Sequence, residues 1–461
     1  MRSTDQGRSS VLWLAFLLLA LLGGLPLVFL TPPFQVPDEP QHFFRAFQLS
    51  EGGLTGINDG GASGAALPSS LPAFTERMLG TRELHTERPV IQQNFRATLV
   101  ELGTGLQPDV REFVDFRGAA AYSPLAYLPQ VAGILTMRFL DAGPLGLLWG
   151  SRLANLVVAT ALLALAIKIM PLGRGLMMLS ALLPMSLFQI ASASPDAMVI
   201  ACAFLFTALT ITGLVRGGWS AAEVVGCALA GLVFCSVKPT YAPILLLPLV
   251  LVLQHGKIRH AITVQSVVLF SALGGTLLWL SVVAPILAAP WPNTDPAAQL
   301  RWMATHPTEF VGTLLTTLVV LAPFYIKSAI GILGWLSVPL PPIAYLLPIL
   351  GLALSPLTPH QGIRLAPAAA WWAVALTIAS ALLVFTALYL NWNPVGHPVI
   401  EGVQGRYFIP LFPLLGAVFS TVVRPEASAW RPSVVLTAYA AILVPLAVVA
   451  PATVIRAYGL F

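Results

Sequence analysis

The most regular feature of the chain is a succession of long apolar runs separated by short polar junctions. Val11 to Leu30 gives twenty residues without a charge, enough to cross a hydrocarbon core of about 30 Å as a helix. A secretory leader would begin in the same way, but no small-x-small cleavage site follows and many further runs do. The pattern predicts a first transmembrane helix. Runs then recur at about 145–169, 175–193, 197–215, 221–237, 241–253, 261–287, 341–354, 366–390, 408–423 and 434–454. Phe310 to Leu340 is apolar as well, but Lys327, Gly331, Gly334 and Pro339 interrupt it, which predicts a re-entrant or interfacial segment on the outer side. The expected fold is all-α: a polytopic membrane protein with about 11 spans, in a range of roughly 10 to 13. No internal repeat is visible, which speaks against an inverted-repeat transporter.

Thr31 to Tyr122 breaks this pattern. It holds 7 Arg, no Lys and 11 Asp/Glu, with Gly/Ser/Pro-rich stretches such as Gly60 to Ser70. A loop with this acidic balance faces outward, because short cytoplasmic loops are enriched in Lys and Arg. Its opening, Pro37-Asp38-Glu39-Pro40 and onward to Ser50, predicts a helix with Asp38 as cap and Pro40 in the first turn. In that helix Gln41, Arg45 and Gln48 form a polar stripe and Phe43, Phe44 and Phe47 an apolar one, as in a helix lying on the bilayer surface.

Composition agrees with the pattern. Of 461 residues 57% are hydrophobic and 9% charged, with mean hydropathy +0.83, whereas soluble domains carry about 25% charged residues. The net charge of +5 would suit a nucleic-acid partner, but in a membrane chain it reports topology, and none is expected. Lys168/Arg174, Arg216, the His255–His260 cluster, His360/Arg364 and Arg424/Arg431 suit the cytoplasm. The predicted organisation is a cytoplasmic N-terminus (1–10), a first helix (11–30), an outer loop (31–122) and a multi-span domain (123–461). Its outer loops lie near 194–196, 238–240, 288–310 (around Trp291) and 391–406. Cys202, Cys227 and Cys235 fall in apolar runs at spacings of neither a metal site nor a disulfide framework, and read as packing residues.

Few charges remain, and they fall on the predicted outer face. Asp38 and Glu39 could supply a general base or a cation ligand, the alternative being a cap with a solvated neighbour. Asp196 ends an apolar run, where a lone carboxylate is costly unless paired, near water or capping a helix. Lys238 sits between two runs, where it could snorkel to the interface, and Arg406 opens another, where it could anchor the helix or meet an anion. Tyr122 to Pro129 reads as an aromatic interfacial segment. Together these place carboxylates and cations on one face, as an anionic lipid-linked substrate would require.

The sets Val36-Pro37-Asp38-Glu39-Pro40-Gln41-His42-Phe43, Tyr122-Ser123-Pro124-Leu125-Ala126-Tyr127, Ser194-Pro195-Asp196, Lys238-Pro239-Thr240-Tyr241, Gly331-Ile332-Leu333-Gly334-Trp335-Leu336 and Gly402-Val403-Gln404-Gly405-Arg406-Tyr407 carry a resemblance. They resemble the motifs of a bacterial family of polytopic membrane proteins catalogued as a domain of unknown function and considered related to glycosyltransferase superfamily C. The similarity runs in order from about Phe34 to Val423. It implies a superfamily-C-like fold in the bacterial cytoplasmic membrane, with chemistry on the periplasmic or extracellular face. It further implies a glycosyltransferase that moves a sugar from a polyprenyl-phosphate donor to a glycan, lipid or protein acceptor. Asp38 would be the base with Glu39 beside it, Asp196 the second-loop carboxylate, and Lys238 and Arg406 the groups that bind lipid phosphate. His42, Arg45, Tyr122, Tyr241, Trp335, Glu401, Gln404 and Tyr407 are substrate-binding candidates. Some members of the superfamily hold a divalent cation between such carboxylates, so Mg or Mn at Asp38, Glu39 and Asp196 is one option and a metal-free mechanism the other. Two different functions stay open beside the enzyme: a transporter or flippase of a lipid-linked saccharide, and a non-catalytic subunit of envelope-polysaccharide assembly.

Overall fold

The computed structural model describes residues 2–80, 95–287, 293–355, 364–422 and 432–459. Within them, eight helices are long and apolar enough to cross a membrane: Leu12–Leu30, Pro144–Ile169, Asp196–Arg216, Ile258–Ile286, Pro307–Gly331, Pro367–Trp392, Gly405–Val422 and Leu436–Tyr458. Three further apolar helices are shorter: Ala221–Val237, Pro239–His255 and Pro342–Leu354. The chain is a multi-pass membrane protein, with eight full-length helices among the described residues where the hydrophobic runs suggested about 11 spans.

The runs at 221–237, 241–253 and 341–354 form helices shorter than a full span, and two other segments depart from expectation for local reasons. The run at 175–193 is two short helices, Arg174–Ala181 and Pro184–Ile190, because Pro184 offers no N–H and pushes Leu183 into extended backbone (φ −54, ψ 140). The segment expected to be re-entrant or interfacial is instead one unbroken helix, Pro307–Gly331, closed by a hairpin pairing Ile332–Leu333 with Val338–Pro339. Lys327 projects from the exposed side of that helix and requires no interruption of the backbone.

The bundle has two chemically distinct ends. At one, Lys257 Nζ donates to Gly217 O (2.5 Å), Trp219 N to His260 Nε2 (3.1 Å), Thr212 Oγ1 to Ile169 O (2.9 Å) and Ala366 N to Gln254 Oε1 (2.6 Å). These contacts gather the junctions around Lys168/Arg174, Arg216, His255–His260 and Arg364. His360, Arg424, Arg431 and Trp291 lie outside the described residues. At the other end sit the turn before Glu39, Ser194, Lys238 and Arg406.

The first loop is a small domain over this second end, and it is not all-α. Strands Ile57–Asp59, Ala62–Pro68 and Arg111–Asp115 form an antiparallel sheet in that order, with Gly60 and Gly61 at positive φ in the tight turn between the first two. Helix Glu39–Ser50, expected on the bilayer surface, is buried from Glu39 to Gln48. Phe43 and Phe74 pack on Phe34 with ring centroids 6.0 and 5.2 Å away. Such a helix belongs to a core, because both of its stripes find protein partners. The domain is fastened to a later span: Asn58 Nδ2 donates to Leu287 O (2.9 Å), Trp279 Nε1 to Ala121 O (2.8 Å), and Ser63 Oγ to Ile286 O. The Tyr122–Pro129 segment is a short turn, Pro124–Tyr127, leading into helix Leu128–Phe139. That helix doubles back on Pro144–Ile169, with Gly133 against Gly150.

Candidate functional site

The site starts with a backbone turn. Asp38 lies immediately before helix Glu39–Ser50 in left-handed conformation (φ 64, ψ 0), and its side chain makes no capping hydrogen bond, contrary to the expectation of a cap. That conformation sends neighbouring side chains in opposite directions. Asp38 points into a cavity of about 270 Å³, while Glu39 turns into the protein and is fully buried.

Asp38, His42, Tyr122, Ser194, Asp196, Lys238, Thr240, Tyr241, Arg406 and Tyr407 line the cavity, with Val384 and Leu388 as an apolar wall. Asp196 Oδ1 lies 2.5 Å from Lys238 Nζ. Asp38 Oδ2 is 3.5 Å from Arg406 Nη2, with the Asp38 side chain 50% exposed and that of Arg406 5%. Lys238 and Arg406 both stand over the Tyr407 ring, at 4.7 and 5.4 Å. Tyr241 Oη donates to Tyr407 O (2.7 Å) and holds that ring's backbone in place. Cationic and aromatic groups are thereby fixed before any ligand arrives, the condition for electrostatic stabilisation without reorganisation.

His42 forms the back of the cleft. Its Nδ1 is hydrogen-bonded to Tyr127 Oη at 2.8 Å, and its ring stacks on Tyr122 at 5.6 Å. Burial pulls its pKa down to about 4, with Asp38 and Asp196 opposing the shift and Lys238 and Arg406 adding to it. It is a neutral imidazole near pH 7. Burial, reinforced by the charge of Asp196, raises the Tyr122 phenol, which stays protonated.

Five expected site residues fall elsewhere. Glu39 makes a fully buried ion pair with Arg152: Nε donates to Oε1 (2.8 Å) and Nη2 to Oε2 (2.6 Å). The other Arg152 N–H groups reach Val28 O (3.0 Å), Thr31 O (2.7 Å) and Pro32 O (3.3 Å), while Glu39 accepts from Phe34 N (3.2 Å) and Ala193 N (3.0 Å). Glu39 is thus a brace between the first-loop turn and the segment before Asp196, with no lone pair facing the cleft. Arg45 is buried in the loop domain, bonded to Gln48 Oε1, Leu54 O and Tyr122 O, and burial lowers its pKa to about 10. Trp335 Nε1 donates to Phe34 O (3.0 Å) and supports the turn from below. Glu401 is exposed and Gln404 half-buried, and neither lines the cavity.

The carboxylates do not fit a divalent cation. Glu39 is consumed by Arg152, and Asp196 is held by Lys238. Among the described residues no three His, Cys, Asp or Glu side chains stand close enough to share an ion. The sequence reading also overlooked Gln189, whose Oε1 lies 3.5 Å from Arg406 Nη1, and Arg152 itself. A cation inside an apolar run is costly without a partner, so Arg152 was the available clue to the fate of Glu39.

No curated protein and no solved structure matches the chain. One family does, over residues 21–415, a span that takes in Asp38, Asp196, Lys238 and Arg406. The chain is therefore a member of the family described as "Predicted membrane protein (DUF2142)".

Proposed function

We propose that this cleft transfers a sugar from a polyprenyl-phosphate carrier to a hydroxyl acceptor on the outer face of a bacterial cytoplasmic membrane. The observation that carries this reading is the state of Arg406. Its guanidinium is nearly buried over the Tyr407 ring, its Nε has no partner, and its contacts to Asp38 and Gln189 are both 3.5 Å long. A buried cation with unfilled donors next to a half-exposed carboxylate is arranged to receive an anion and a proton donor together.

In the proposed reaction the acceptor oxygen attacks the anomeric carbon while Asp38 takes its proton. The bond from that carbon to the phosphate oxygen breaks, and its electron pair leaves with the lipid phosphate. Arg406 and Lys238 face the charge that grows there. One displacement inverts the anomeric centre. The neutral His42 and the phenol of Tyr122 remain as hydrogen-bonding groups for sugar hydroxyls. A retaining route needs a second, nucleophilic carboxylate, and Asp196 is already committed to Lys238.

The test is reconstitution in liposomes with a panel of polyprenyl-phosphate sugars. Asp38→Asn is expected to reduce transfer by about 100-fold or more while donor binding persists, as befits loss of a general base. Arg406→Ala is expected to weaken donor binding as well as turnover. Full transfer by a folded Asp38→Asn protein rules out the base assignment.

A further inference from the structure

A second cavity, of about 470 Å³, lies between the 332–339 hairpin and the last turns of helix Pro432–Tyr458. This is within the range of about 300–1,000 Å³ typical of ligand sites. Val338, Leu340, Pro341, Val449 and Ala452 make its walls apolar, and Arg456 stands among them, two residues before Tyr458. Val448, on the helix that lines the groove, and Ile343 and Leu346, on the helix that follows its rim at Pro341, are exposed apolar residues, so it belongs to the lipid-facing side of the bundle. Lys238 and Arg406, the cations of the first cavity, both face carboxylates. Arg456 is exposed and has no carboxylate partner among the described residues.

An apolar trough ending in one unpaired guanidinium, on a surface that meets the bilayer, has the chemistry of an acyl chain joined to a phosphate. We infer that the groove binds one anionic glycerophospholipid, with its phosphodiester on Arg456 and a chain along Leu340, Val449 and Ala452. Guanidinium matches phosphate oxygens in a two-pronged geometry that an ammonium lacks. The site is also mechanically connected. Tyr458, two residues on, donates its hydroxyl to Gln35 Oε1 (3.3 Å), and Trp335 of the hairpin donates to Phe34 O (3.0 Å). Both contacts land on the turn that presents Asp38, so a filled groove bears on that turn. The inference stands independently of the proposed transfer reaction.

It is tested by native mass spectrometry of the full chain in mild detergent, titrated separately with phosphatidylglycerol, phosphatidylcholine, inorganic phosphate and a polyprenyl monophosphate. The wild type is expected to bind one phosphatidylglycerol per chain, and Arg456→Gln to bind it about tenfold more weakly or worse, the loss of one charge-assisted contact. Ala452→Trp, which fills the trough and leaves Arg456 in place, is expected to lose the lipid too. Equal phosphatidylglycerol binding by wild type and Arg456→Gln overturns the inference, as does phosphatidylcholine binding as tightly as phosphatidylglycerol. Inorganic phosphate binding as tightly as the lipid would reduce the groove to an anion site. Preference for the polyprenyl monophosphate in an Arg456-dependent manner would make it an extension of a donor site, and either result overturns the assignment.

Discussion

Asp38 and Glu39 are adjacent in the chain and opposite in role, and the reason is one backbone torsion. With Asp38 left-handed, its carboxylate reaches the cavity and that of Glu39 reaches Arg152. Sequence reasoning could find Asp38, Asp196, Lys238 and Arg406, because charges at the ends of apolar runs have few inexpensive places to go. It could not separate Asp38 from Glu39, since adjacency in sequence says nothing about direction across a turn. Removing one member of the Glu39–Arg152 pair leaves a bare buried charge, so Glu39→Gln or Arg152→Met should each lower stability by about 3–5 kcal/mol. The double variant Glu39→Leu/Arg152→Met should recover much of that loss, as read by thermal unfolding in detergent. His42 carries a pH prediction. Its folded pKa of about 4 lies below the ordinary 6.5, so the unfolded chain takes up the proton first as pH falls. The contribution of His42 to stability is therefore constant above pH 6.5 and declines from there toward pH 4, by up to about 1.4 kcal/mol per pH unit. Unfolding midpoints of wild type and His42→Gln should converge on acidification across that window.

At the level of elements, the apolar runs were legible and their interruptions less so. Pro184 splits one run in two, whereas Pro323 and Lys327 leave the helix Pro307–Gly331 whole. The difference lies in tertiary context. Leu183 is free to become extended in the bundle interior, while Lys327 stays on an exposed flank. The sheet of the first loop was hidden for a compositional reason: its central strand, Ala62–Pro68, is made of Ala, Gly, Ser, Leu and Pro, without the β-branched residues that signal a strand. One element junction is especially tight. A Cβ on Gly405 would lie 2.0 Å from Tyr325 O and 2.3 Å from Ala329 N, both backbone atoms of the neighbouring helix. Gly405→Ala must therefore push the segment carrying Arg406 away from that helix. The expected outcome is a destabilisation of about 1–3 kcal/mol together with weakened anion binding at the cleft, measured by thermal unfolding and by phosphate-analogue titration. Gly312→Ala, in helix Pro307–Gly331 with no atom within 4 Å of the added Cβ, is the control and should leave anion binding unchanged.

At the scale of the whole molecule, among the described residues, the basic junctions gather at one end of the bundle and the four cleft residues gather at the other. That division gives an accessibility prediction: single cysteines at positions 60 and 401, both exposed at the cleft end, should react with an impermeant thiol reagent added outside intact cells. One at position 257 should react only after permeabilisation, and labelling of 257 from outside would reverse the orientation. The four groups come from widely separated parts of the chain, at 38, 196, 238 and 406, and the first-loop domain is fastened to residues 279–287. Synthesis proceeds from the N-terminus, so this domain must wait beside the bilayer, incompletely anchored, until that later span has been inserted. Asp196 and Lys238 can neutralise one another soon after they emerge, but Asp38 has no Arg406 until most of the chain has left the ribosome. The pocket is thus completed only late in synthesis, and a nascent chain released early would carry the acidic half of the cleft without the guanidinium that completes it.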